Sequence, residues 1–488
     1  MPKFYKTNNP AINMSLVGFG QAGTRMVDKF AHLKDENGKS IYNCLALNSN
    51  EGDLKGLKDI PVANQVSLDL GGLGKNPTKA LEILEENNEA KEKLKEFIQK
   101  RIRPEDQLVV FFAGLGGGTG TSTIIKAIEE FYEFNNKPLI QEELKKIQKE
   151  TAPAEFKANI KKYFKQATKK AEEKMVKIGV VAALPLRADG PDALKQVNDF
   201  AQRIWKLAND RTKGIAFVMF PDNQFLYDEF NKISENKKPA ENFRDYANLE
   251  IRNMLHELNT ATTGGGTEVT FDSADFKRII LEGNGCLVLS KLTRESSNVK
   301  SGHDVKHMFL KAMESSSLHA PIELIIEKED GKKALANIHH IGLLAVLDEK
   351  KSVGSSFIDD ARIEITESDS FSISGTVFTG YLEEKNQNDA TVYIFYKTTG
   401  LPSRLAKGLV KEYQEYKQRQ SSLQFTTTTI ATINDQDDDD DDFGDIDLAE
   451  FGFEEVATSN ETNDKTSNDD EDELSVDDLD FSALQDED

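Results

Sequence analysis

The chain contains a glycine-rich stretch, AGLGGGTGTS, at residues 113–122. It follows the apolar run 108–112 and precedes the apolar residues 124–128, and this order predicts a buried strand, a loop and the start of a helix. Glycine lets backbone N–H groups approach a ligand without a Cβ in the way, and a helix N-terminus carries a partial positive charge. The stretch therefore predicts a phosphate-binding loop, with a flexible glycine turn as the alternative.

A second glycine loop stands near the N-terminus. A predicted short strand at 13–17 leads into the sequence GFGQAG at 18–23, and a helical pattern follows. Strand, G-x-G-x-x-G loop and helix form an arrangement that binds nucleotide phosphates. A dinucleotide-binding fold would also need an acidic residue at the end of the next strand. That strand, at 42–47, ends in the sequence NSN at 48–50, which counts against NAD.

A third glycine loop, GGLGKNP at 71–77, precedes a charged helix. The carboxyl ends of parallel strands meet at one edge of a sheet, so three such loops predict one ligand site at that edge. Neither a single Rossmann motif nor a P-loop predicts three loops, and no G-x-x-x-x-G-K-[ST] motif is present.

Charge divides the chain into a nearly neutral body and an acidic tail. Residues 435–488 contain 25 Asp and Glu and one Lys, a net charge of −24, whereas the whole chain has a net charge of −23. High like charge and low apolar content predict that the tail, 423–488, is disordered. An acidic tail repels DNA phosphates, so we expect no direct DNA binding. Its short apolar segments indicate docking on an adaptor or cargo partner. The alternative is that the tail only projects from the body and keeps the protein soluble.

Residues 133–177 form a basic segment with helical spacing of its apolar residues. From 137 to 177 there are 12 basic and 6 acidic residues. We interpret the segment as a helical insertion. It is either a solvated surface pair of helices or a contact for an acidic partner, such as the tail of a neighbouring copy.

The remaining pattern indicates two domains joined by a long helix. We assign an N-terminal arm (1–12), a nucleotide-binding domain (13–240), a central helix (241–263), a second α+β domain (264–400), a C-terminal helix (401–422) and the tail. Within the second domain, Arg362–Thr366 is predicted as a strand. Cys44 and Cys286 lie in apolar runs, which indicates core residues in a reducing compartment. No signal peptide and no apolar run near 18 residues is found, which predicts a cytoplasmic protein without a membrane span.

The motif order resembles the tubulin and FtsZ superfamily of polymerising GTPases. The signature loop GGGTG[TS]G of that superfamily matches residues 116–122, with Ser122 in place of the last glycine. Within the superfamily the chain most resembles the TubZ and PhuZ tubulins of bacterial plasmids and phages. The sequences YAN at 246–248, LHELN at 255–259 and TGLP at 399–402 carry that likeness.

This resemblance implies a fold and a ligand. The fold would be α/β: a Rossmann-like parallel-sheet GTPase domain, a long central helix and an α+β second domain with a mixed sheet. The ligand would be GTP or GDP, with Mg²⁺. The residues that would hold the nucleotide are Gly20, Gln21, Ala22, Gly23, Asn48, Asn50, Gly72, Gly74, Asn76, Gly114, Gly116, Gly117, Gly118, Thr119, Gly120, Thr121, Asp189, Asp222, Asn223 and Asn248.

The resemblance also assigns individual roles within that set. Asp189 would contact the ribose, and the loop at 72–76 would lie near the γ-phosphate. Asn223, or its neighbour Asp222, would read the guanine edge together with Asn248, because carboxamide and carboxylate groups suit its donors and acceptors.

The catalytic residues implied by the resemblance lie far along the chain, in the sequence FDSADF at 271–276. Asp272 and Asp275 occupy the positions of acids that reach the nucleotide of the next subunit, where a carboxylate can orient the attacking water. Without the resemblance, both would be interpreted as helix N-cap residues. Thr270 stands where FtsZ-like chains carry Asn.

These implications combine into a filament-forming GTPase. Successive copies would enclose GTP, and hydrolysis on assembly would drive filaments that position or segregate phage or plasmid DNA; the acidic tail favours a phage cytoskeletal role. One alternative is a structural filament component that binds nucleotide with little or no turnover. The other is an NAD-dependent oxidoreductase.

Overall fold

The computed structural model describes residues 9–261, 269–327, 333–351, 353–370, 372–384, 388–422 and 481. Within them, eleven strands form one mixed sheet in the order β11-β10-β13-β7-β6-β5-β4-β1-β2-β3, with β12 also paired to β10, and β8 and β9 form a separate pair. The strands are β1 (Met14–Phe19), β2 (Asn43–Asn48), β3 (Gln65–Ser67), β4 (Leu108–Gly114), β5 (Lys177–Ala183), β6 (Ile215–Met219), β7 (Cys286–Glu295), β8 (Ile325–Glu327), β9 (Lys333–Leu335), β10 (Asn337–Asp348), β11 (Ser372–Ile373), β12 (Val377–Glu384) and β13 (Asp389–Thr398).

Helices cover both faces of this sheet. They are α1 (Gly20–Ala31), α2 (Glu51–Leu54), α3 (Pro77–Glu86), α4 (Asn88–Arg101), α5 (Gly118–Phe131), α6 (Lys137–Glu150), α7 (Pro153–Ala158), α8 (Ile160–Ala171), α9 (Pro191–Asn209), α10 (Asn223–Lys232), α11 (Phe243–Ala261), α12 (Ser273–Leu281), α13 (Gly302–Met313), α14 (Ser356–Thr366) and α15 (Leu409–Ser422). Among the described residues, no helix is long and apolar enough to cross a membrane.

Strands β1 to β6 are parallel, and their apolar runs are buried on both faces, as helix-covered parallel sheets require. This confirms the predicted α/β fold class with a parallel sheet. Both cysteines are buried free thiols in the apolar interior, as predicted. The loops after β1 and β4 carry the first two glycine motifs at the carboxyl edge of the sheet.

The second part of the chain extends the same sheet. Val218 of β6 pairs in parallel with Cys286 of β7, and β13 then pairs with both β7 and β10 in antiparallel fashion. The strand prediction for Arg362–Thr366 is wrong, because these residues end helix α14. The apolar side chains of α14 recur at helical spacing and face the core: Phe357, Ile358, Ala361 and Ile365.

The chain just before β1 is fixed to the central helix α11. The Ala11 N–H donates to the Asn259 carbonyl oxygen at 2.7 Å, and the Ile12 N–H donates to Asn259 Oδ1 at 2.8 Å. Both residues are buried, so the predicted polar arm ends before Ala11. Because these residues precede β1, α11 ends at the amino edge of the sheet, opposite the glycine loops.

Helices α6, α7 and α8 confirm that the basic segment is helical. They enclose an apolar cluster of their own, formed by Tyr132, Ile140, Leu144, Ile147, Phe156, Phe164, Ala167, Ala171 and Met175 together with Phe481 of the tail. Apart from Phe481, the tail at 423–488 lies outside the described residues.

A buried lysine joins three elements at the amino end of β6. Lys397 of β13 is 1% exposed, and its Nζ donates to the carbonyl oxygens of Ala216, Ile280, Glu282 and Gly283. The ammonium therefore caps the C-terminus of α12. Burial, aided by the charge of Lys177, lowers the pKa of Lys397 to about 7.

We expect stability to depend on the proton of Lys397. Between pH 7 and about 10 the unfolded chain holds this proton more firmly than the folded chain does, so the free energy of unfolding contributed by this group rises with pH. Lys397→Met removes the proton and the four hydrogen bonds, which should cost about 1–3 kcal/mol at neutral pH. In urea unfolding, the difference between wild type and Lys397→Met should increase from pH 7 to 9.5; a constant difference would contradict the lowered pKa.

Candidate functional site

Helices α1 and α5 begin at the carboxyl edge of the sheet, and no capping side chain accepts a hydrogen bond from their first N–H groups. Neither helix has a capping side-chain hydrogen bond or an acidic residue in its first turn. By contrast, α3, α10 and α12 are capped by Asn76, Asp222 and Asp272. The first N–H groups of a helix need partners, and an anionic ligand is the natural one. The two uncapped ends therefore favour a phosphate site, as the sequence predicts.

The first two glycine loops lie in backbone contact with each other. Gly20 has a φ of +64°, and a Cβ there would stand 2.6 Å from the Gly120 nitrogen. A Cβ on Gly114 would stand 2.7 Å from the Cβ of Ala22. Only glycine permits this approach. The structure thus brings the N-termini of α1 and α5 together, as expected for groups that share one ligand.

The third glycine loop closes against the start of α5. The Gly118 N–H donates to the Gly74 carbonyl oxygen at 3.1 Å, and a Cβ on Gly118 would stand 2.5 Å from that oxygen. Gly72 is exposed in the same loop, and Asn76 Oδ1 accepts from the Lys79 N–H at 3.0 Å. The structure therefore brings all three loops together, while the side chain of Asn76 caps α3.

Hydroxyl groups in the signature loop hold the loop itself. Thr121 Oγ1 donates to the Gly114 carbonyl oxygen at 3.2 Å, and Ser122 Oγ donates to the Gly118 carbonyl oxygen at 3.0 Å. Gly117, in contrast, has no described atom within 4 Å of the position where its Cβ would be. Backbone N–H groups rather than these two hydroxyls are thus available to a ligand on the open side.

The end of β2 offers an unpaired donor to the same site. Asn48 is 1% exposed, and its Nδ2 finds no hydrogen-bond partner among the described residues. Its neighbour Ser49 accepts a hydrogen bond from Thr119 Oγ1 at 3.0 Å, which ties β2 to the signature loop. An unpaired buried amide costs free energy, so Asn48 fits a ligand acceptor. Asn50 instead caps α2 by accepting from the Asp53 N–H.

An ion pair crosses from the third loop to the loop after β5. Lys75 Nζ lies 3.5 Å from Asp189 Oδ1, and Asp189 Oδ2 accepts from the Leu186 N–H at 3.0 Å. The predicted ribose contact therefore lies next to the third loop. Sequence analysis missed Lys75, although its position directly after Gly74 indicates a cation beside the ligand.

The structure contradicts Asp222 as a reader of the base. This side chain is 1% exposed and accepts hydrogen bonds from the Gln224 N–H and from Arg404 Nη1, the latter at 2.6 Å. A carboxylate paired in this way cannot face a ligand. Asn223 is half-buried at the start of α10, and its N–H donates to the Leu184 carbonyl oxygen. It therefore lies at the carboxyl end of β5, on the same edge as the glycine loops.

Asn248 is half-buried on α11, two residues after Tyr246. The ring of Tyr246 packs on Phe230 of α10 at a centroid distance of 5.3 Å. Residues two apart on a helix point in different directions, so Asn248 does not share this contact, and its role in base recognition stays a prediction.

The two predicted catalytic acids form a helix cap. Asp272 Oδ1 accepts from the Ala274 and Asp275 N–H groups, and Asp275 Oδ2 accepts from the Asp272 N–H at 3.4 Å. The N-cap alternative is thus confirmed, and the catalytic role stays a prediction. Burial, aided by the nearby charge of Asp272, raises the pKa of Asp275.

No known family model matches the chain, but relatives and solved structures do. TubZ of Bacillus cereus is 23% identical over 306 residues, which are 62% of this chain and 59% of that relative. TubZ of Bacillus thuringiensis serovar israelensis in a GTPγS-form protofilament superimposes with a TM-score of 0.62 at 18% identity, covering 86% of this chain and 94% of that one. A TubZ structure described as type III plasmid segregation TubZ gives a TM-score of 0.59 at 17% identity, covering 86% and 96%. The sequence match thus spans less than two thirds of the length of the B. cereus relative.

Gly118 provides a direct test of loop closure. In Gly118→Ala the new Cβ must displace the carbonyl oxygen of Gly74, and overpacking of this kind costs about 1–3 kcal/mol. We expect affinity for a fluorescent GTP analogue to fall about tenfold, since 1.4 kcal/mol corresponds to a factor of ten. Gly56→Ala is the matched control, because its Cβ would lie 3.8 Å from the Asp53 carbonyl oxygen, an ordinary van der Waals contact. Equal affinity of both variants would contradict this account of the site.

Three glycine loops meet at one edge of a parallel sheet, and a long helix leads from that sheet to a second part with antiparallel strands. TubZ matches this chain in sequence over 306 residues and in fold over 86% of its length. The predicted resemblance is confirmed: the chain is similar to TubZ in sequence and has the fold of the tubulin and FtsZ superfamily.

Proposed function

We propose that this protein is a polymerising GTPase that binds GTP at the carboxyl edge of its sheet and hydrolyses it on assembly. The observation that carries the proposal is the meeting, through glycine contacts, of two helix N-termini, α1 and α5, that have no side-chain cap. The Gly118 N–H donates to Gly74, and the other first N–H groups would bind an anion. The unpaired amide of Asn48 supports it, because this buried donor ends β2 beside Ser49, which contacts the signature loop.

The chain's own groups suit the parts of a guanine nucleotide. The N–H groups of the loops at 20–23 and 114–121 would hold the phosphates, and Gly72 and Gly74 would close over them. Asp189 would accept from the ribose hydroxyls, while Asn223 and Asn248 would contact the base. The described residues hold no group of three or more His, Cys, Asp or Glu that could bind a metal. Mg²⁺ would then be held mainly by the phosphates, as is common for this ion.

We infer that one copy of the chain keeps its phosphate loops apart from the proposed catalytic acids. The loops lie at the carboxyl edge, whereas α11 ends beside Ile12 at the amino edge, and α12 ends beside Ala216 at the amino end of β6. A six-residue strand such as β1 spans roughly 20 Å. Asp272 and Asp275 would therefore act on the nucleotide of a second copy stacked head to tail.

Stacking of this kind produces an open filament, because a heterologous contact that does not close repeats without end. Hydrolysis would then require a neighbour, which couples turnover to assembly. The TubZ relatives include a GTPγS-form protofilament and a type III plasmid segregation protein. By analogy, we propose that filaments of this protein position or segregate phage or plasmid DNA in the cytoplasm of a bacterium or an infected host, with an adaptor as the direct DNA contact.

A structural filament protein with little turnover is the second candidate. The capping box of Asp272 and Asp275 favours it, because both carboxylates already have a role in holding α12. Phosphate release separates the two functions: a GTPase releases phosphate as filaments pellet in GTP, whereas a structural filament pellets without release.

We expect Asp275→Asn to separate assembly from hydrolysis. The asparagine Oδ1 can still accept from the Asp272 N–H, so α12 keeps its cap, but the charge that would polarise water is lost. Filaments should pellet with GTP as in wild type, phosphate release should fall about 100-fold, and disassembly should stop.

The matched control is Asp304→Asn. Asp304 occupies the same position in the capping box of α13 and is not among the proposed site residues. Its phosphate release should equal that of wild type. Wild-type hydrolysis by Asp275→Asn would show that the catalytic assignment is wrong.

A further inference from the structure

The acidic tail has one described residue, Phe481, and it is buried in the basic insertion. Phe481 is 4% exposed, and its ring lies 4.9 Å from the ring of Phe164 on α8 at an interplanar angle of 60°. An offset aromatic pair of this kind adds to the free energy of burial. The basic insertion therefore holds a side chain that is distant in sequence and comes from the acidic tail.

The site around Phe481 is built by the insertion and not by the main core. Its walls belong to the cluster of α6 and α8, which is separate from the three clusters around the large sheet. A small residue, Ala167, lies one turn after Phe164 on the same face of α8, and both are buried. A large and a small residue at this spacing leave room for an aromatic ring between helices.

Charge complements this apolar contact. Residues 137–177 have a net charge of +6, whereas residues 474–488 around Phe481 contain six acidic residues and no basic ones. An aromatic anchor flanked by acids meets an apolar site flanked by lysines. Complementary charges of this kind select partners and speed their encounter.

We propose that α6, α7 and α8 form a docking site for acidic peptide segments with an aromatic anchor, and that the segment around Phe481 of the same chain occupies it. This inference does not depend on the nucleotide chemistry. Between Ser422 and Phe481 there are 58 residues, which at up to about 3.3 Å each can reach any part of the molecule.

The docking site stands at the edge where copies would meet. The segment between α5 and α6 is fixed to the chain before β6, since Asn136 Nδ2 donates to the Lys213 carbonyl oxygen at 3.0 Å. The insertion thus begins at the amino edge of the sheet, like the end of α11.

A labelled peptide of residues 474–488 tests the site on the full-length chain. In wild type the tethered tail competes at an effective concentration near millimolar, so the free peptide should bind weakly. In Phe481→Ala the site is vacant, and affinity for the peptide should rise about tenfold. Phe453→Ala, another phenylalanine in the same acidic tail, is the matched control and should bind as wild type does. Equal affinity of Phe481→Ala and wild type would overturn the proposal.

Charge reversal on α8 tests the electrostatic part in the Phe481→Ala background. Lys161 and Lys165 flank the buried face that carries Phe164, whereas Lys162 and Lys169 point away from it by helical spacing. Lys161→Glu with Lys165→Glu should weaken peptide binding at least about tenfold at low salt, and Lys162→Glu with Lys169→Glu should weaken it much less. Equal effects would mean that general charge attraction alone holds the peptide, which contradicts a built site.

The assignment to the same chain is tested by dilution. With GDP, wild type should sediment as a monomer, and its weak affinity for the peptide should not change with protein concentration. Oligomers that are present in wild type and lost in Phe481→Ala would show that tails dock between copies, which would overturn the assignment to one chain.

Discussion

The carboxyl edge of the sheet, where the three glycine loops meet, depends on backbone contacts that no side chain permits. Gly20 lies against Gly120, and a Cβ on Gly23 would stand 2.1 Å from the Phe112 carbonyl oxygen. Because of these contacts, α1 and α5 begin at one place, and the partial charges of both N-termini act on the same ligand. The other parts follow: β2 adds the amide of Asn48, and the third loop closes from the opposite side.

Local signals in the sequence predicted much of this arrangement. Buried parallel strands appear in the sequence as continuous apolar runs, and glycine motifs at their ends indicate the edge where ligands bind. The position of the candidate site could therefore be predicted from the sequence alone. The cap formed by Asp272 was also predictable, because an Asp three residues before another acid is a common helix start. The strand prediction for Arg362–Thr366 was wrong because alternating apolar and polar residues in so short a run fit a strand and the end of a helix equally well.

Contacts between distant segments account for what the sequence did not predict. The proposed base contact at Asp222 was excluded by Arg404, which lies 182 residues away. The burial of Phe481 depends on helices that precede it by more than 300 residues. In both cases, the sequence around one partner contains no periodic or compositional pattern that points to the other. Only the folded structure therefore shows that Asp222 pairs with Arg404 and that Phe481 packs on the insertion.

Arg404 links parts of the chain that leave the ribosome at different times. Its Nη1 donates to Asp222 Oδ1 and to the Pro185 carbonyl oxygen at 2.8 Å, directly behind the ends of β6 and β5. A nascent chain that stops before this arginine buries the Asp222 carboxylate without its counter-charge, a defect that costs about 3–5 kcal/mol. The carboxyl edge of the sheet therefore becomes fully stable only once the second part of the chain has been synthesised.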